Sequence, residues 1–286
     1  MSAPIPADGL RLNGLDIRRH AYRPRDLSAL LRVPAKRGAD LVIPGEHGEL
    51  HIPGKRYEAG VVALPLLVLG CDPDTGRVPA GSTARRELYK RMDELIAAIG
   101  DEQLLIERVR PDGAERELRG EVLDVLDPRT QPPGNLAEVT VVLKTADPFW
   151  SDTADRTGSL TVATGGSGQL TALDSATALM QDLLVEIGPS ANPRLEQPAS
   201  GIFVGWNGII AADQTLQINT ATWTVTGTGG LTVTPADYER LHYGGAGTRR
   251  WFALRPEPGG PTVQLTHTGG GTATATVTGR RKYTTA

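Results

Sequence analysis

The sequence predicts a mainly β protein with two domains: an α+β first domain that carries one helix, and a second domain that is an antiparallel β-sandwich. Two observations lead to this prediction. The composition changes near residue 150, and apolar residues alternate with polar ones in many short runs on both sides of that point. The chain has 286 residues, 39% of them hydrophobic. Single cores stop growing near this length, which favours two domains over one.

The two halves of the chain are expected to have different surfaces. Residues 1–150 contain 44 charged side chains and 5 threonines, whereas residues 151–286 contain 19 charged side chains and 24 threonines. Threonine favours strands and carries a polar tip, so the second half is expected to be almost entirely β. We therefore predict one domain at 1–150 and another at 151–286.

Short strands account for most of the first domain. Asn13-Gly14 interrupts an alternating pattern over residues 10–20 and predicts a hairpin turn. The segment 26–35 is compatible with a helical turn or a strand. Further strands are predicted on either side of a Pro44-Gly45 reversal, at 61–69, on either side of Pro111-Asp112-Gly113, and at 136–145.

The first domain also contains one predicted helix, over residues 82–99. Ser82 or Thr83 can serve as its N-cap, because a hydroxyl can accept from an unpaired N–H of the first turn. Gly100 stands where a glycine commonly follows a helix. The apolar stripe at helical spacing consists of Leu88, Met92, Leu95, Ile96 and Ile99.

The second domain shows short strands separated by glycine-rich turns, which is typical of an antiparallel sandwich. Residues 163–168 are predicted to be a flexible turn and residues 189–193 a loop. The predicted strands are 157–163, 182–188, 201–207, 215–219, 222–226, 250–254, 262–266 and 272–278.

Composition excludes several classes of function. The formal net charge is −3, so the chain lacks the basic footprint of a nucleic-acid binder, and no sequence-specific nucleic-acid binding is expected. A single cysteine, Cys71, excludes an intrachain disulfide and a cysteine-based zinc site. No apolar run is long enough to span a bilayer, and the N-terminus has no signal-peptide pattern. We expect synthesis in a cytoplasm and no membrane insertion.

The sequence contains no catalytic or cofactor-binding motif, so we predict no enzyme activity and no cofactor. His47 and His51 lie beside Glu46 and Glu49, but this segment is a proline- and glycine-rich turn rather than a helix. Their spacing therefore does not place both rings on one helical face, and no metal site is predicted. Among other polar residues, His242 with Tyr243 and Asp237 with Glu239 lack a nucleophile partner and are interpreted as surface residues.

Three tryptophans of the second domain, Trp206, Trp223 and Trp251, are the candidates for stacking on sugar rings. Each falls in a predicted strand with apolar neighbours, which favours core packing over a sugar platform. In the first domain arginine outnumbers lysine 17 to 4. Such an excess suits protein interfaces, because the planar guanidinium makes bidentate pairs, but a GC-rich genome produces it as well.

Several segments together carry a family resemblance, and the best of them is Asp147-Pro148-Phe149-Trp150. The others are 12–14, 43–48, 192–196, 205–208 and 222–225. Together with one helix in a β domain, they resemble the distal tail proteins of long, flexible-tailed bacteriophages and of prophages. The second domain looks like the galectin-like sandwich that commonly follows the first domain in this family.

The resemblance implies a structural role at the phage tail tip. Such proteins form a ring, a hexamer, through the first domain, and the ring joins the tail tube to the baseplate, tip or fibre proteins. It continues the lumen through which DNA leaves. The implied partners are other copies of the chain, the tail tube protein, the tape measure protein, and hub or receptor-binding proteins. The implied location is the virion, after synthesis in the host cytoplasm, and no catalytic residues are implied.

Two other classes of function stay open at this point. The second domain is alternatively a carbohydrate-binding module that contributes to recognition of the host cell wall. A glycosidase is the third hypothesis, and it requires two carboxylates that flank a cleft. In the second half of the chain, Asp237 and Glu239 form the closest acidic pair considered for that role.

Overall fold

The computed structural model describes residues 9–31, 33, 35–37, 41–42, 49–50, 56–131, 134–245 and 252–285. The chain divides into two compact units, Met1–Ser151 with Thr284–Ala286 and Asp152–Tyr283. Strand pairs in both units are antiparallel, and strands dominate both. The predicted mainly β class is therefore confirmed.

Unit 1 contains twelve strands and one α-helix within the described residues. A 3₁₀ turn at Ser28–Leu31 resolves the ambiguity of segment 26–35 in favour of a helical turn. The strands are β1 (Leu10–Leu12), β2 (Leu15–Asp16), β3 (Tyr22–Pro24), β4 (Lys36–Arg37), β5 (Leu41–Val42), β6 (Glu49–Leu50), β7 (Arg56–Tyr57), β8 (Gly60–Leu69), β9 (Leu104–Val109), β10 (Glu115–Gln131), β11 (Leu136–Thr145) and β12 (Trp150–Asp152).

The main sheet of unit 1 has the order β2-β1-β9-β10-β11-β8-β3. Strands β8 and β11 pair along their whole length, from Gly60 opposite Thr145 to Leu69 opposite Leu136. The short strands β5 and β6 pair with each other, as do β4 and β7. The predicted Pro44-Gly45 reversal between β5 and β6 lies outside the described residues.

The predicted helix is present as α1 (Ala84–Ile99), and Thr83 rather than Ser82 is its N-cap. The Thr83 hydroxyl accepts a hydrogen bond from the Arg86 N–H. Gly100 follows the helix as expected, but its φ of −77° is right-handed, so it is not a left-handed cap. Four members of the predicted stripe are buried and pack toward β8 and β11, whereas Ile96 is exposed.

The hairpin turn between β1 and β2 fixes the end of α1 as well. Asn13 (φ 44°) and Gly14 (φ 83°) are both left-handed, the conformation that a two-residue hairpin requires. The Asn13 side-chain amide donates to the Ala98 carbonyl oxygen at 2.8 Å, and its carbonyl oxygen accepts from the Leu105 N–H at 2.7 Å. One side chain thus joins hairpin, helix and β9.

Unit 2 contains twelve further strands within the described residues, and 3₁₀ turns at Thr171–Leu173 and Pro235–Arg240. The strands are β13 (Arg156–Ala163), β14 (Gly166–Gln169), β15 (Leu184–Ile187), β16 (Ser190–Gln197), β17 (Ile202–Trp206), β18 (Ile209–Ile210), β19 (Thr215–Asn219), β20 (Thr224–Thr228), β21 (Leu241–Gly244), β22 (Thr262–Thr268), β23 (Thr272–Gly279) and β24 (Lys282–Tyr283).

All of these strands except β24 form a sandwich of two antiparallel sheets around one core. One sheet has the order β13-β23-β15-β19-β20, and the other has the order β14-β22-β16-β17-β21 with β18 beside β16. Val185 and Ile218 from the first sheet share a hydrophobic cluster with Leu195, Val204 and other buried residues of the second. The alternation of apolar and polar residues predicts this arrangement correctly, because one face of each sheet must be buried.

The abundance of threonine has a structural explanation on the outer face of the first sheet. Between β13 and β23, the hydroxyls of Thr157 and Thr278 lie 2.9 Å apart, and those of Thr161 and Thr274 lie 2.8 Å apart. Each pair stands directly opposite in the register. Cross-strand hydroxyl pairs stabilise sheets while leaving a polar surface.

Four predictions for unit 2 are wrong in part, two of connecting segments and two of strands. Residues 189–193 are not all loop, because β16 begins at Ser190. Asn192 (φ 48°) lies within this strand, where the register of its pairing with β22 shifts. The flexible turn predicted at 163–168 contains the start of β14. The strand predicted at 222–226 begins two residues later, and the strand predicted at 250–254 is present only as a bridge at Leu254 within the described residues.

We predict that Asn13→Ala lowers the free energy of unfolding of unit 1 by about 1–2 kcal/mol, because it removes the partner of the partly buried Leu105 N–H and of the Ala98 carbonyl oxygen. Urea unfolding followed by circular dichroism measures the change. Asn135→Ala, at an exposed turn residue of the same unit, is the matched control and is expected to stay within about 0.5 kcal/mol of the parent. Equal stability of the two variants would contradict this role for Asn13.

Candidate functional site

Asp237 and Glu239 are the acidic pair considered for a glycosidase, and the structure gives Asp237 a structural role. The Asp237 carboxylate caps the 3₁₀ turn at Pro235–Arg240 and accepts hydrogen bonds from the Thr234 N–H (2.9 Å) and hydroxyl (2.8 Å). These bonds lower the pKa of Asp237, whereas the general acid of a glycosidase requires a raised pKa. Glu239 is exposed. Asp237 is therefore unsuited to be the general acid of such a pair.

The described residues contain no group of three or more His, Cys, Asp or Glu side chains that could hold a metal ion. His47, His51 and Glu46 lie outside the described residues, so their predicted role as turn residues stays a prediction. Within the same described part of the chain, no helix is long and apolar enough to cross a membrane.

The three candidate tryptophans have different environments. Trp206 ends β17 and is 2% exposed, within the core of the sandwich. Trp223 is 59% exposed and lies in the turn before β20, with a left-handed φ of 60°. Trp251 lies outside the described residues.

The exposure of Trp223 follows from the local turn. The Asn219 side-chain oxygen accepts from the N–H groups of Ala221 and Thr222, which closes the turn one step before the strand resumes. The predicted alternation of Trp223 with Val225 therefore fails, and only Val225 is buried. Of the three indoles, Trp223 is the one that the described structure presents to solvent.

A buried ionic cluster holds α1 against the sheet of unit 1. Arg91 is 6% exposed, and its guanidinium donates to both carboxylate oxygens of Glu94, at 2.7 and 2.5 Å. It also approaches the Glu87 carboxylate at 3.5 Å. The Tyr22 hydroxyl, from β3, donates to the Arg91 carbonyl oxygen and to the Glu94 carboxylate. The cluster thereby connects a strand to the middle of the helix.

The protonation states in this cluster are set by its contacts. Burial, together with the Glu94 charge, raises the pKa of the Tyr22 hydroxyl, so it stays a donor. The Ser82 hydroxyl donates to Glu87 at 2.7 Å, and this bond lowers the pKa of Glu87. The cluster is therefore a stabilising network of paired groups.

A shallow pocket of about 210 Å³ adjoins this network. Two of its charged side chains pair with each other, because Arg19 contacts Asp16 at 3.2 Å. Arg19 also contacts Asp74, which lies outside the lining, at 2.5 Å. The lining residues are Arg11, Gly14, Leu15, Asp16, Arg19, Tyr22, Pro73 and Glu94. No nucleophile with an adjacent base faces this space.

Unit 2 presents a stacked set of polar and aromatic side chains on its second sheet. The Arg194 guanidinium lies 3.7 Å from the Phe203 ring centroid and donates to Glu196 at 2.6 Å. The ring of Phe203 lies 5.9 Å from that of His242, which packs over Gly205. Sequence reasoning missed this set, because its members come from β16, β17 and β21 and share a face only once the register is known.

The fold has relatives among solved structures. It is similar to the crystal structure of the SPP1 Dit protein (gp 19.1), described as a paradigm of the hub adsorption apparatus in phages that infect Gram-positive bacteria. The TM-score is 0.58 and the identity 14%, over 95% of this chain and 98% of that one. Phage p2 baseplate structures in the activated conformation, with Sr or Ca, match at TM-scores of 0.43 and 0.42 and identities of 10% and 9%, over the same shares of each chain.

No protein-family model matches the sequence, and no curated protein matches it. The likeness to SPP1 Dit lies in the fold and extends through both units, because it covers nearly the whole of each chain. The predicted distal-tail-protein fold is therefore confirmed.

We predict that Glu87→Gln makes the stability of unit 1 less sensitive to acid. Because the pKa of Glu87 is lowered on folding, its ionised form stabilises the fold above the ordinary value of 4.5, and this contribution disappears as the pH falls through the lowered value. The difference between parent and variant, measured by urea unfolding, should shrink from about pH 6 to about pH 3. Glu102→Gln, at an exposed site, is the control, and a pH-independent difference for Glu87→Gln would contradict the assignment.

Proposed function

We propose that this protein is a structural subunit of a phage tail tip, in which copies of unit 1 assemble into a ring that joins the tail tube to the baseplate, tip or fibre proteins. The observation that carries the proposal is the full-length fold similarity to SPP1 Dit, a protein described as a hub of the adsorption apparatus. In this proposal unit 1 is the ring-forming domain and unit 2 is a galectin-like sandwich.

The pairing of the buried charged groups supports a structural role, in which the protein contacts other subunits of an assembly. The buried charged groups are paired in networks that hold elements together, as Arg91 does with Glu94. In unit 2, Asp152 is 6% exposed and accepts from Arg281 at 2.6 Å and from the Tyr283 hydroxyl at 2.9 Å. Such networks stabilise folds, whereas reaction centres require groups poised for transfer. We therefore infer that the protein is not an enzyme.

The partners follow from the same proposal. The ring, a hexamer in this account, leaves a lumen for DNA and contacts the tail tube protein on one side. Tape measure, hub or receptor-binding proteins are the further partners. The protein resides in the virion after synthesis in the host cytoplasm, and it binds no specific nucleic-acid sequence.

Electron microscopy of the purified protein tests this proposal. We predict annular particles with sixfold symmetry and a central hole, because head-to-tail contacts between identical subunits close into rings. Sedimentation over a range of concentrations provides the matching mass. A protein that stays monomeric at every concentration tested would contradict the ring.

Carbohydrate binding by unit 2 is the second candidate function, and the exposure of Trp223 favours it. An indole that is 59% exposed at a turn offers an apolar face on which a sugar ring can stack. This function is compatible with the first, because each unit can perform one of them.

We predict that, if this second function holds, Trp223→Ala weakens binding to cell-wall glycans about tenfold or more in calorimetry. Tyr243→Ala, which removes another exposed aromatic side chain of unit 2, is the control and should leave the affinity unchanged. If calorimetric titrations of the unmodified protein with cell-wall glycans show no heat of binding, carbohydrate binding by unit 2 would be contradicted.

A further inference from the structure

Strand β8 is apolar on both faces, but the described part of unit 1 fully buries only one of them. Val62, Leu64, Leu66 and Val68 are at most 8% exposed and face α1. The alternate residues point to the opposite side of the sheet, and Val61 is 65% exposed there. A strand that is apolar on both sides is typical of a sheet that is covered on both sides. One face of β8 therefore lacks its cover within the described residues.

This uncovered surface continues onto the neighbouring strand. Val61 lies opposite Lys144, and Ala63 lies opposite Val142. We call it the sheet face and define it by Val61, Ala63, Pro65, Leu67 and Val142, of which Ala63 is exposed and the last three are half-buried. At the Val61 end it is bordered by Glu121, Asp124 and Lys144, which are exposed and sum to a charge of −1.

A second apolar surface lies on the other side of the same unit. Tyr89 and Ile96 are 54% and 53% exposed. Seven residues apart, they share the side of α1 that points away from the sheet. Exposed basic residues surround Tyr89, and the Arg85 guanidinium lies 6.0 Å from its ring centroid. We call this the helix face and define it by Arg85, Arg86, Tyr89, Lys90 and Ile96.

The charges of the two surfaces are complementary. The helix face carries three cations near Tyr89 and one carboxylate, Asp93, between Tyr89 and Ile96, so its net charge is positive. The sheet face has a net negative border near Val61. If the sheet face bound the sheet face of another copy, the two acidic borders would meet and Tyr89 with Ile96 would stay uncovered. If it bound the helix face of another copy, opposite charges would meet and both apolar surfaces would be buried.

We propose that the sheet face of one copy binds the helix face of the next copy. This inference rests on the proposed function, and it specifies the surfaces through which the ring closes. Because the two surfaces differ and lie on opposite sides of the α1–sheet layer, the contact is heterologous. Its repetition generates a ring when the rotation between successive copies closes, as the proposed function requires, and an open filament when it does not.

Two charge insertions test the proposal, one in each face. Val61→Glu and Ile96→Glu each place a carboxylate in the proposed interface, and each should raise the dissociation constant of self-association at least about tenfold. Val78→Glu (43% exposed) and Ile209→Glu (76% exposed) are matched controls outside both faces and should assemble like the parent. All four sites are exposed, and circular dichroism with thermal unfolding checks that each variant is folded.

Mixing the two interface variants provides the decisive measurement. The Val61→Glu chain keeps its helix face and the Ile96→Glu chain keeps its sheet face, so the mixture should form a one-to-one heterodimer in analytical ultracentrifugation. Each variant alone should stay monomeric. If Ile96→Glu self-associates like the parent while Val61→Glu does not, the sheet face binds itself and the proposal is wrong.

The outcomes separate this inference from the proposed function. Rings that form normally from both interface variants would overturn the assigned surfaces and leave the ring intact. An unmodified protein that never self-associates would overturn the ring and these surfaces together. Loss of assembly in both interface variants, with a heterodimer on mixing and normal controls, would support the proposal.

Discussion

The packing of unit 1 depends on strand β8, which carries apolar side chains on both of its faces. Its buried side chains from Val62 to Val68 meet the apolar stripe of α1, and this contact joins the helix to strands β8 and β11 of the main sheet. The close approach leaves no room at Gly70, where a Cβ would come within 1.9 Å of the Ala84 carbonyl oxygen. This packing sets the position of the helix, and the contacts of Tyr22 with Arg91 and Glu94 connect the same helix to β3. The same strand leaves an apolar face for another molecule to cover.

Most of the fold follows from local signals in the sequence. The strand at 136–145 and the helix near 82–99 have strong periodicity and clear boundaries, and both are present. The Asn13-Gly14 turn is equally explicit, since both residues adopt the left-handed conformation. Such features depend on neighbours in the chain, so a sequence pattern suffices to predict them.

The errors arise where distant parts of the chain decide the outcome. Pro189 and Pro193 suggest a loop, yet pairing with β18 and β22 extends a strand through this segment, and Asn192 lies at the irregularity in that pairing. Trp223 follows the alternating pattern of a strand, but the turn that Asn219 holds includes Trp223 and exposes its indole. The apolar run 61–69 predicts a buried strand. The structure shows that only one face of this strand is fully buried, which depends on its packing and not on its sequence.

The candidate functional surfaces are harder to predict from the sequence than the fold is. The Arg194–Phe203–His242 set and the two apolar faces of unit 1 each combine residues from separate elements, and no short motif marks them. Their common feature is geometric, because register and helix packing bring the side chains together. A surface for assembly therefore requires the structure, whereas the absence of catalytic motifs is evident from the sequence.

A density map of the assembled protein, at a resolution that shows side chains, tests the central claim most directly. The account predicts that Val61 and Ala63 of one copy lie against Tyr89 and Ile96 of its neighbour, around a closed ring. A ring in which β8 faces solvent, or in which α1 is free of the adjacent copy, would contradict it.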